Sequence, residues 1–317
     1  MLKRMVEKMH IASLCGFNVE LQIIKIDSEE PRFLIINNLH GDELSGFYIL
    51  EKFLKGLSKI QGTLAVITSA NSLGLAHKNR LLPFDFVDLN RNYPPAYKER
   101  GINVVLKEKL IEIGLNYDLI LDVHNFTRPS LSAGVAIEQN NKISEKTMRD
   151  CLQVLGMDIV IGINAKIKEE KRTSSSLTAY LASQGKLAFG VEYPPSSQLD
   201  NKQIKRYTTG LNNLLTVVGL NSKMDFIQSN FIFPSIFQRQ QIISRTTGLF
   251  VPNKRLRTEI KSGDVLGYLI NIENLQREPL ISPYDGMLTE MSDRRLCLFG
   301  EKVATVGKPV KNFVYEN

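Results

Sequence analysis

The sequence predicts an α/β protein: a mixed, mostly parallel sheet with helices on both faces, plus a small C-terminal all-β domain of barrel or sandwich type. Three observations carry this. Through the first two-thirds of the 317 residues, short apolar runs alternate with helix-like stretches, the pattern of a sheet covered on both sides. Beyond about residue 225 the helical patterning stops, and short strands punctuated by Gly and Pro take over. In that last part a weak half-repeat stands out: Gly248-Leu-Phe-Val is followed by Gly263-Asp-Val-Leu, and Gly286-Met-Leu-Thr by Gly300-Glu-Lys-Val. Two similar halves of this kind suit a small β structure. The domains expected are therefore 1–224, α/β, and 225–317, all-β.

Taken in order, Val19 to Ile26 and Arg32 to Asn37 read as strands, and Glu43 to Gly56 as a helix. Thr63 to Ser69 is β-branched and apolar, a buried strand, and Lys98 to Gly114 is helical. Asp118 to Val123 is another buried strand, Lys142 to Gly156 a helix and Met157 to Ile161 a short strand. A helix over Ser174 to Gln184, a strand over Leu187 to Tyr193 and a helix over Asp200 to Val218 complete the first part.

Composition narrows the class. Hydrophobic residues are 43% and charged residues 23% of the chain, which excludes disorder and fibrous proteins. The net charge of +7 is spread too thinly to indicate nucleic acid, and no run is long and apolar enough for a membrane helix. Cys15, Cys151 and Cys297 are far apart and odd in number, which points to a reducing compartment. Lys3, Arg4, Glu7 and Lys8 leave no apolar stretch for a signal peptide. A cytoplasmic protein is expected, and a homo-oligomer is compatible with this.

The candidate chemistry sits at the ends of predicted strands. His40-Gly41-Asp42-Glu43 follows one strand and opens a helix, and His124 follows another, in Asp122-Val123-His124-Asn125. Ligands of open α/β sheets bind beyond the carboxyl ends of the strands, and two His with one Glu form a catalytic zinc set. The spacing leaves this reading and that of two structural histidines both open; His10 and His77 have no such context and read as structural. Glu192 ends the strand Leu187 to Tyr193. It is placed to move protons, or is a strand-end carboxylate bounded by prolines. The loop Asn79 to Pro94 holds Arg80 and Arg91, suited to an oxyanion or a carboxylate, or simply solvated. Asp122 lies two residues before His124, on the same side of a strand. It can hold that imidazole or pair with an arginine.

Together, His40-Gly-Asp-Glu43, Asp88-Leu-Asn90-Arg91, Asp122-Val-His124-Asn125 and Val191-Glu192-Tyr193, in this order, resemble the succinylglutamate desuccinylase/aspartoacylase branch of the zinc carboxypeptidases over roughly residues 30 to 220. The resemblance implies a zinc carboxypeptidase-like fold and one Zn²⁺ per chain on His40, Glu43 and His124. It gives Arg80 to the oxyanion, Asn90 and Arg91 to the substrate carboxylate, and Glu192 the role of general base and acid. It also implies a further basic residue before Glu192, with Lys171 and Arg172 as candidates, and a late tyrosine, Tyr268 or Tyr284. The expected activity is hydrolysis of a small N-acyl amino acid of acetyl or succinyl type. A zinc carboxypeptidase and a non-catalytic module binding anions through Lys254, Arg255, Arg257 and Lys261 are the alternatives. The C-terminal part resembles a biotinyl/lipoyl-type barrel, but Asn271 to Ser282 contains no Lys, which disfavours a carrier role. It is expected instead to pack over the cleft.

Overall fold

The computed structural model describes residues 4–26, 29–96, 100–137, 145–163, 175–221 and 236–310. Strands β1 (Arg4–Leu14) and β2 (Phe17–Ile26) form a hairpin. Strand β3 (Arg32–Asn37) leads through helix α1 (Ser45–Gly56) to β4 (Thr63–Ile67), and α2 (Ser72–Ala76) and α3 (Ile102–Leu115) lead to β5 (Leu119–Asn125). Next come β6 (Ala133–Ile137), α4 (Glu145–Val154), β7 (Ile159–Ile163), α5 (Leu177–Ser183), β8 (Leu187–Tyr193) and α6 (Asn201–Val217). The remainder is β9 (Ile236–Ile243), β10 (Gly248–Pro252), β11 (Glu259–Ile260), β12 (Val265–Asn271), β13 (Arg277–Ile281), β14 (Gly286–Met291), β15 (Leu296–Cys297) and β16 (Lys302–Val310). No helix among the described residues is long and apolar enough to cross a membrane.

Twelve strands form one sheet in the order β1-β2-β4-β3-β5-β8-β6-β7-β9-β16-β14-β11. Its centre is parallel: β3 pairs with β4 and β5, and β5 with β8. The period of two along each strand sorts the side chains between two cores. Phe33, Ile35, Leu64, Val66, Leu119, Leu121 and Val123 face α1, α4 and α6. Leu34, Ile36, Ala65, Ile67 and Ile120 face α3 and α5. A fully buried side chain of this size contributes about 1.5–3 kcal/mol, so these layers hold the central strands in register.

The C-terminal part shares the large sheet through β9, β16, β14 and β11, while β13-β12-β10-β15 make a second sheet. The two sheets enclose a core that includes Phe250, Ile260, Leu266, Leu288 and Val306. The half-repeat maps onto this sandwich: β10 pairs antiparallel with β12 in one sheet, and β14 with β16 in the other. The Lys-free stretch from Asn271 becomes the β12–β13 hairpin. The boundary expected at 224/225 falls within residues 222–235, outside the described residues. Of the basic residues considered for anion binding, Lys254 pairs with Asp264 at 3.5 Å, Arg257 with Asp158 at 2.5 Å and Lys261 with Glu259 at 3.7 Å.

Three elements of the first part were not anticipated. Strand β1 is the outermost strand of the sheet, and its charged residues break the alternation that marks a half-buried strand. Strand β6 is built largely of small residues, and α2 is only five residues long.

Helix α1 is docked at the sheet's centre. Its first residue, Ser45, donates from its backbone to Asn125 Oδ1 at 2.9 Å and from its hydroxyl to the Pro194 carbonyl at 2.7 Å. Asn125 thus satisfies an N–H that a helix start leaves open, since Leu44 offers no side-chain cap. Gly46 makes the approach close: a Cβ there would stand 2.0 Å from Asn37 Oδ1 and 2.8 Å from Val123 Cγ1. Alanine favours a helix over glycine by about 0.5–1 kcal/mol, but overpacking costs about 1–3 kcal/mol, so packing decides the sign. Gly46→Ala is expected to lower stability by about 1–2 kcal/mol in urea unfolding; a more stable variant would mean that α1 can lift without cost.

Candidate active site

Three adjacent parallel strands deliver the site. Strand β3 ends three residues before His40, β5 carries His124, and β8 carries Glu192. The register of β5 and β8 sets His124 beside Glu192. The chain turns sharply after β3: Asn38 takes a left-handed φ of 61° and its amide donates to the carbonyls of His40 and Glu43 at 2.8 and 3.0 Å. Gly41 lets this turn press onto α2, where a Cβ would meet the Gly74 backbone at 2.0 Å.

Glu43 lies between two imidazoles. Its Oε1 is 2.8 Å from His40 Nδ1 and its Oε2 is 2.8 Å from His124 Nδ1. Oε2 also accepts from the Asn125 backbone at 3.1 Å, and Oε1 from Arg80 Nη1 at 3.2 Å. All three ligand groups are buried, and their candidate donor atoms lie within 4.8 Å of one another. The far nitrogens are held as well: His40 Nε2 is 2.9 Å from Asp88 Oδ1, and His124 Nε2 is 2.8 Å from Asp122 Oδ2. A carboxylate on the far nitrogen fixes the ring and raises the basicity of the near one, which is how metal-binding histidines are supported. Two nitrogens, one carboxylate and this support fit a divalent cation.

The electrostatics agree. Burial opposes the charge on His124, but Asp122 and Glu43 outweigh it and hold the imidazole well above its usual pKa. Burial likewise opposes ionisation of Glu43, yet His124 and His40 hold its carboxyl well below the carboxylate range. Asp88 is depressed against burial by His40 and then Arg80. A cation entering this site displaces the His124 proton, so its affinity falls as pH falls. Glu192 goes the other way: burial pushes it up to about 7, with Glu43 adding to the rise and His124 opposing it.

Of the expected residues, His40, Glu43, His124, Arg80 and Glu192 come together. Arg80 donates from Nε and Nη2 to Asp88 Oδ2, at 3.3 and 3.2 Å. Asn90 is buried with both ends of its amide engaged: Nδ2 donates to Asp122 Oδ2 at 3.1 Å, and Oδ1 accepts from the Leu177 backbone at 3.0 Å. A direct reach of Asn90 to substrate does not fit this engagement. Arg91 donates from Nη1 to the Asn90 carbonyl at 2.7 Å. Lys171 and Arg172 lie outside the described residues. Tyr284 packs against the core of the C-terminal sandwich and Tyr268 lies on β12.

Two residues named in the sequence motifs were given no role by sequence reasoning. Asn125 follows His124 and caps α1. Asp88 opens the Asp-Leu-Asn-Arg run, and its position two residues before Asn90 was the available signal. It ties His40 to Arg80 and also accepts from the Asn90 backbone at 2.9 Å. Asp88→Asn keeps the shape and removes the charge. It is expected to weaken divalent-metal affinity about 10–100-fold in competition with a chelator; unchanged affinity would leave Asp88 a role on Arg80 alone.

Comparison with known proteins follows the same lines. The model of the succinylglutamate desuccinylase/aspartoacylase catalytic domain matches residues 29–218. Among solved structures, a succinylglutamate desuccinylase/aspartoacylase from Rhodobacter sphaeroides superposes with a TM-score of 0.80 at 17% identity, over 98% of this chain and 96% of that one. The product-bound ectoine utilization protein EutE (DoeB) from Ruegeria pomeroyi gives 0.83 at 17% identity, over 97% and 95%. An aspartoacylase family protein from Mesorhizobium loti gives 0.78 at 18%, over 98% and 96%. At these identities the likeness is one of fold, and no curated protein sequence matches the chain. The catalytic-domain match covers more than half of the residues and includes every residue of the buried His–Glu–His group, so the chain belongs to the succinylglutamate desuccinylase/aspartoacylase family.

Proposed function

We propose that the protein is a zinc-dependent amidohydrolase that removes an acetyl- or succinyl-type acyl group from an N-acyl amino acid. The observation that carries this is the buried His40–Glu43–His124 group with Glu192 beside His124 in register. Zinc bound there would supply Lewis acidity toward a carbonyl and toward water.

The chain's own residues supply the rest. Glu192 takes the proton of the attacking water and delivers it to the leaving nitrogen, so amide and water become carboxylate and amine. A carboxyl lifted by burial suits both halves of that task. Arg80, already directed at Glu43 and Asp88, donates to the oxygen that gains charge as the carbonyl carbon becomes tetrahedral. Arg91 holds the carboxylate of the amino acid, and Asn90 supports it from behind through its backbone carbonyl.

The direct test incubates zinc-loaded protein with a panel of N-acetyl, N-succinyl and N-formyl amino acids and short peptides, against a chelated control. Release of amine from the small substrates, lost on chelation, is the expected result. Release from peptides alone would make the protein a carboxypeptidase, and release unaffected by chelation would remove zinc from the mechanism. Glu192→Gln is expected to keep zinc while kcat falls by about 10² or more. In the unsubstituted enzyme the acid limb of the pH profile lies below about 7, because a cation nearby lowers the Glu192 carboxyl and activity is lost as that group protonates. Arg80→Lys is expected to lower kcat by about 10²–10³ with little change in KM, read by steady-state kinetics. A rise in KM at constant kcat would instead assign Arg80 to ground-state binding.

A further inference from the structure

Apolar side chains collect around the site. Among the described residues of the α/β part, half of the exposed large apolar side chains neighbour site residues in the chain: Leu44, Tyr48, Phe84 and Phe86. Leu44 follows Glu43, and Tyr48 stands one turn further along α1. Phe84 and Phe86 lie between Arg80 and Asp88 and are the most exposed apolar residues of that part, at 67% and 73%. Single exposed hydrophobics are ordinary, but two rings on one short loop make a patch that calls for a ligand.

The loop that carries the two rings is built to present them. Leu82 donates from its backbone to the Val87 carbonyl at 2.9 Å, and Arg80 pairs with Asp88 across the base at 3.2 Å. Leu82 and Leu89 anchor the arms in the core under α3. At the tip, Asp85 Oδ2 accepts from Asn103, from the backbone at 3.1 Å and from Nδ2 at 2.8 Å. These contacts fix the backbone while both rings stay in water. Phe84 and Phe86 also take left-handed φ values of 76° and 50°. Such angles are rare for bulky residues and cost free energy that Gly or Asn would avoid. Strain of this kind gathers at ligand-binding segments. The topology sets where the tip lies. Helix α3 runs back to the start of the parallel strand β5, so its first turn, which holds Asp85, lies at the carboxyl edge of the sheet with His124 and Glu192. Phe86 is two residues from Asp88, whose carboxylate is 2.9 Å from His40, and two residues span at most about 7 Å.

Resting on the deacylase reading, we propose that Phe84 and Phe86 form an apolar subsite for the amino-acid side chain of the substrate, so that the enzyme prefers N-acyl amino acids whose side chain is aromatic or large and aliphatic. Arg91, on the same loop, holds the carboxylate of the amino acid in that reading. Side chain and carboxylate share one carbon, whereas the acyl group lies beyond the nitrogen, toward Glu192 and the His–Glu–His group. Besides the carboxylate, the part of the substrate nearest the Arg80–Arg91 loop is therefore the side chain. Closing the two rings on an apolar side chain takes the surface of both out of water, and that burial is the source of the selectivity.

The test uses zinc-loaded full-length protein and one acyl group, the one released fastest in the panel, carried on phenylalanine and on alanine. The expected kcat/KM is at least about tenfold higher for the phenylalanine derivative, the scale of selectivity an apolar pocket gives. The double variant Phe84→Asn, Phe86→Asn removes both rings and puts in residues at ease with left-handed φ, so its Tm should stay within about 4 °C of the unsubstituted protein. Its preference should fall to about threefold or less, through a raised KM for the phenylalanine derivative. Phe84→Leu with Phe86→Leu keeps apolar surface and should retain part of the preference. No preference in the unsubstituted protein, or equal losses on both substrates in the Asn variant, would overturn the proposal. Should the double variant fail to fold, the single Phe86→Asn decides by the same ratio. A second arm needs no turnover: phenylalanine should bind at least about tenfold more tightly than alanine by calorimetry, with the difference erased in the Asn variant. If no acyl amino acid is hydrolysed, this arm decides the subsite, and the deacylase reading fails alone. If the difference survives the loss of both rings, the side chain is held elsewhere and the proposal falls.

Discussion

Glu43 holds two imidazoles 2.8 Å from its two oxygens while nearly excluded from water. A carboxylate in such a place is stable only when its lone pairs are fully used, and Glu43 meets this with two histidines, Arg80 and the Asn125 backbone. The demand propagates outward. Each imidazole must be oriented by a second carboxylate, Asp88 or Asp122, and those carboxylates need Arg80 and Asn90 in turn. The site is thus a network in which few members can be removed without leaving another buried polar group unpaired, the condition under which such networks become rigid and specific. Its rigidity is inherited from the centre of the sheet, where α1 is fixed onto the ends of β5 and β8 through Ser45.

Much of this was legible in the sequence, for a local reason. His40 and Glu43 are three residues apart at a strand end, and His124 and Glu192 each close an apolar run, so the pattern that identifies the strands also places these side chains at one edge of a parallel sheet. What was not legible depends on contacts across the chain. Asn90 carries the chemistry of a substrate ligand, but its amide is used by Asp122 and by the start of α5. Asn125 reads as an afterthought to His124 until α1 is seen to start on it. The half-repeat was read correctly as two β pairs, but not that each pair would fall in a different sheet, nor that one of those sheets would be the catalytic one.

That sharing has consequences for how the two parts work together. A domain joined by a linker can pack over a cleft and leave it again. Here β9, β16, β14 and β11 are strands of the same sheet whose strand ends carry the His40–Glu43–His124 group. The Phe126–Leu131 loop is held between the two parts by backbone bonds. Motion of the sandwich and motion of the chain after His124 are therefore coupled through hydrogen bonds rather than through loose packing.

The margins of the two sheets differ in how open they are to other chains. Strands β11 and β15 are two residues long, too short to template a neighbour, and β13 carries Pro279 directly after the charged Arg277 and Glu278. Strand β1 is different: eleven residues long, outermost in the sheet, with Met5 and Val6 more than half exposed. An open strand of that length invites edge-to-edge pairing, and charged residues at Arg4, Glu7 and Lys8 are the means by which such an edge resists it. In concentrated or partly screened solution, the resistance of this margin, three strands from β3, to pairing with another copy rests on those three charges.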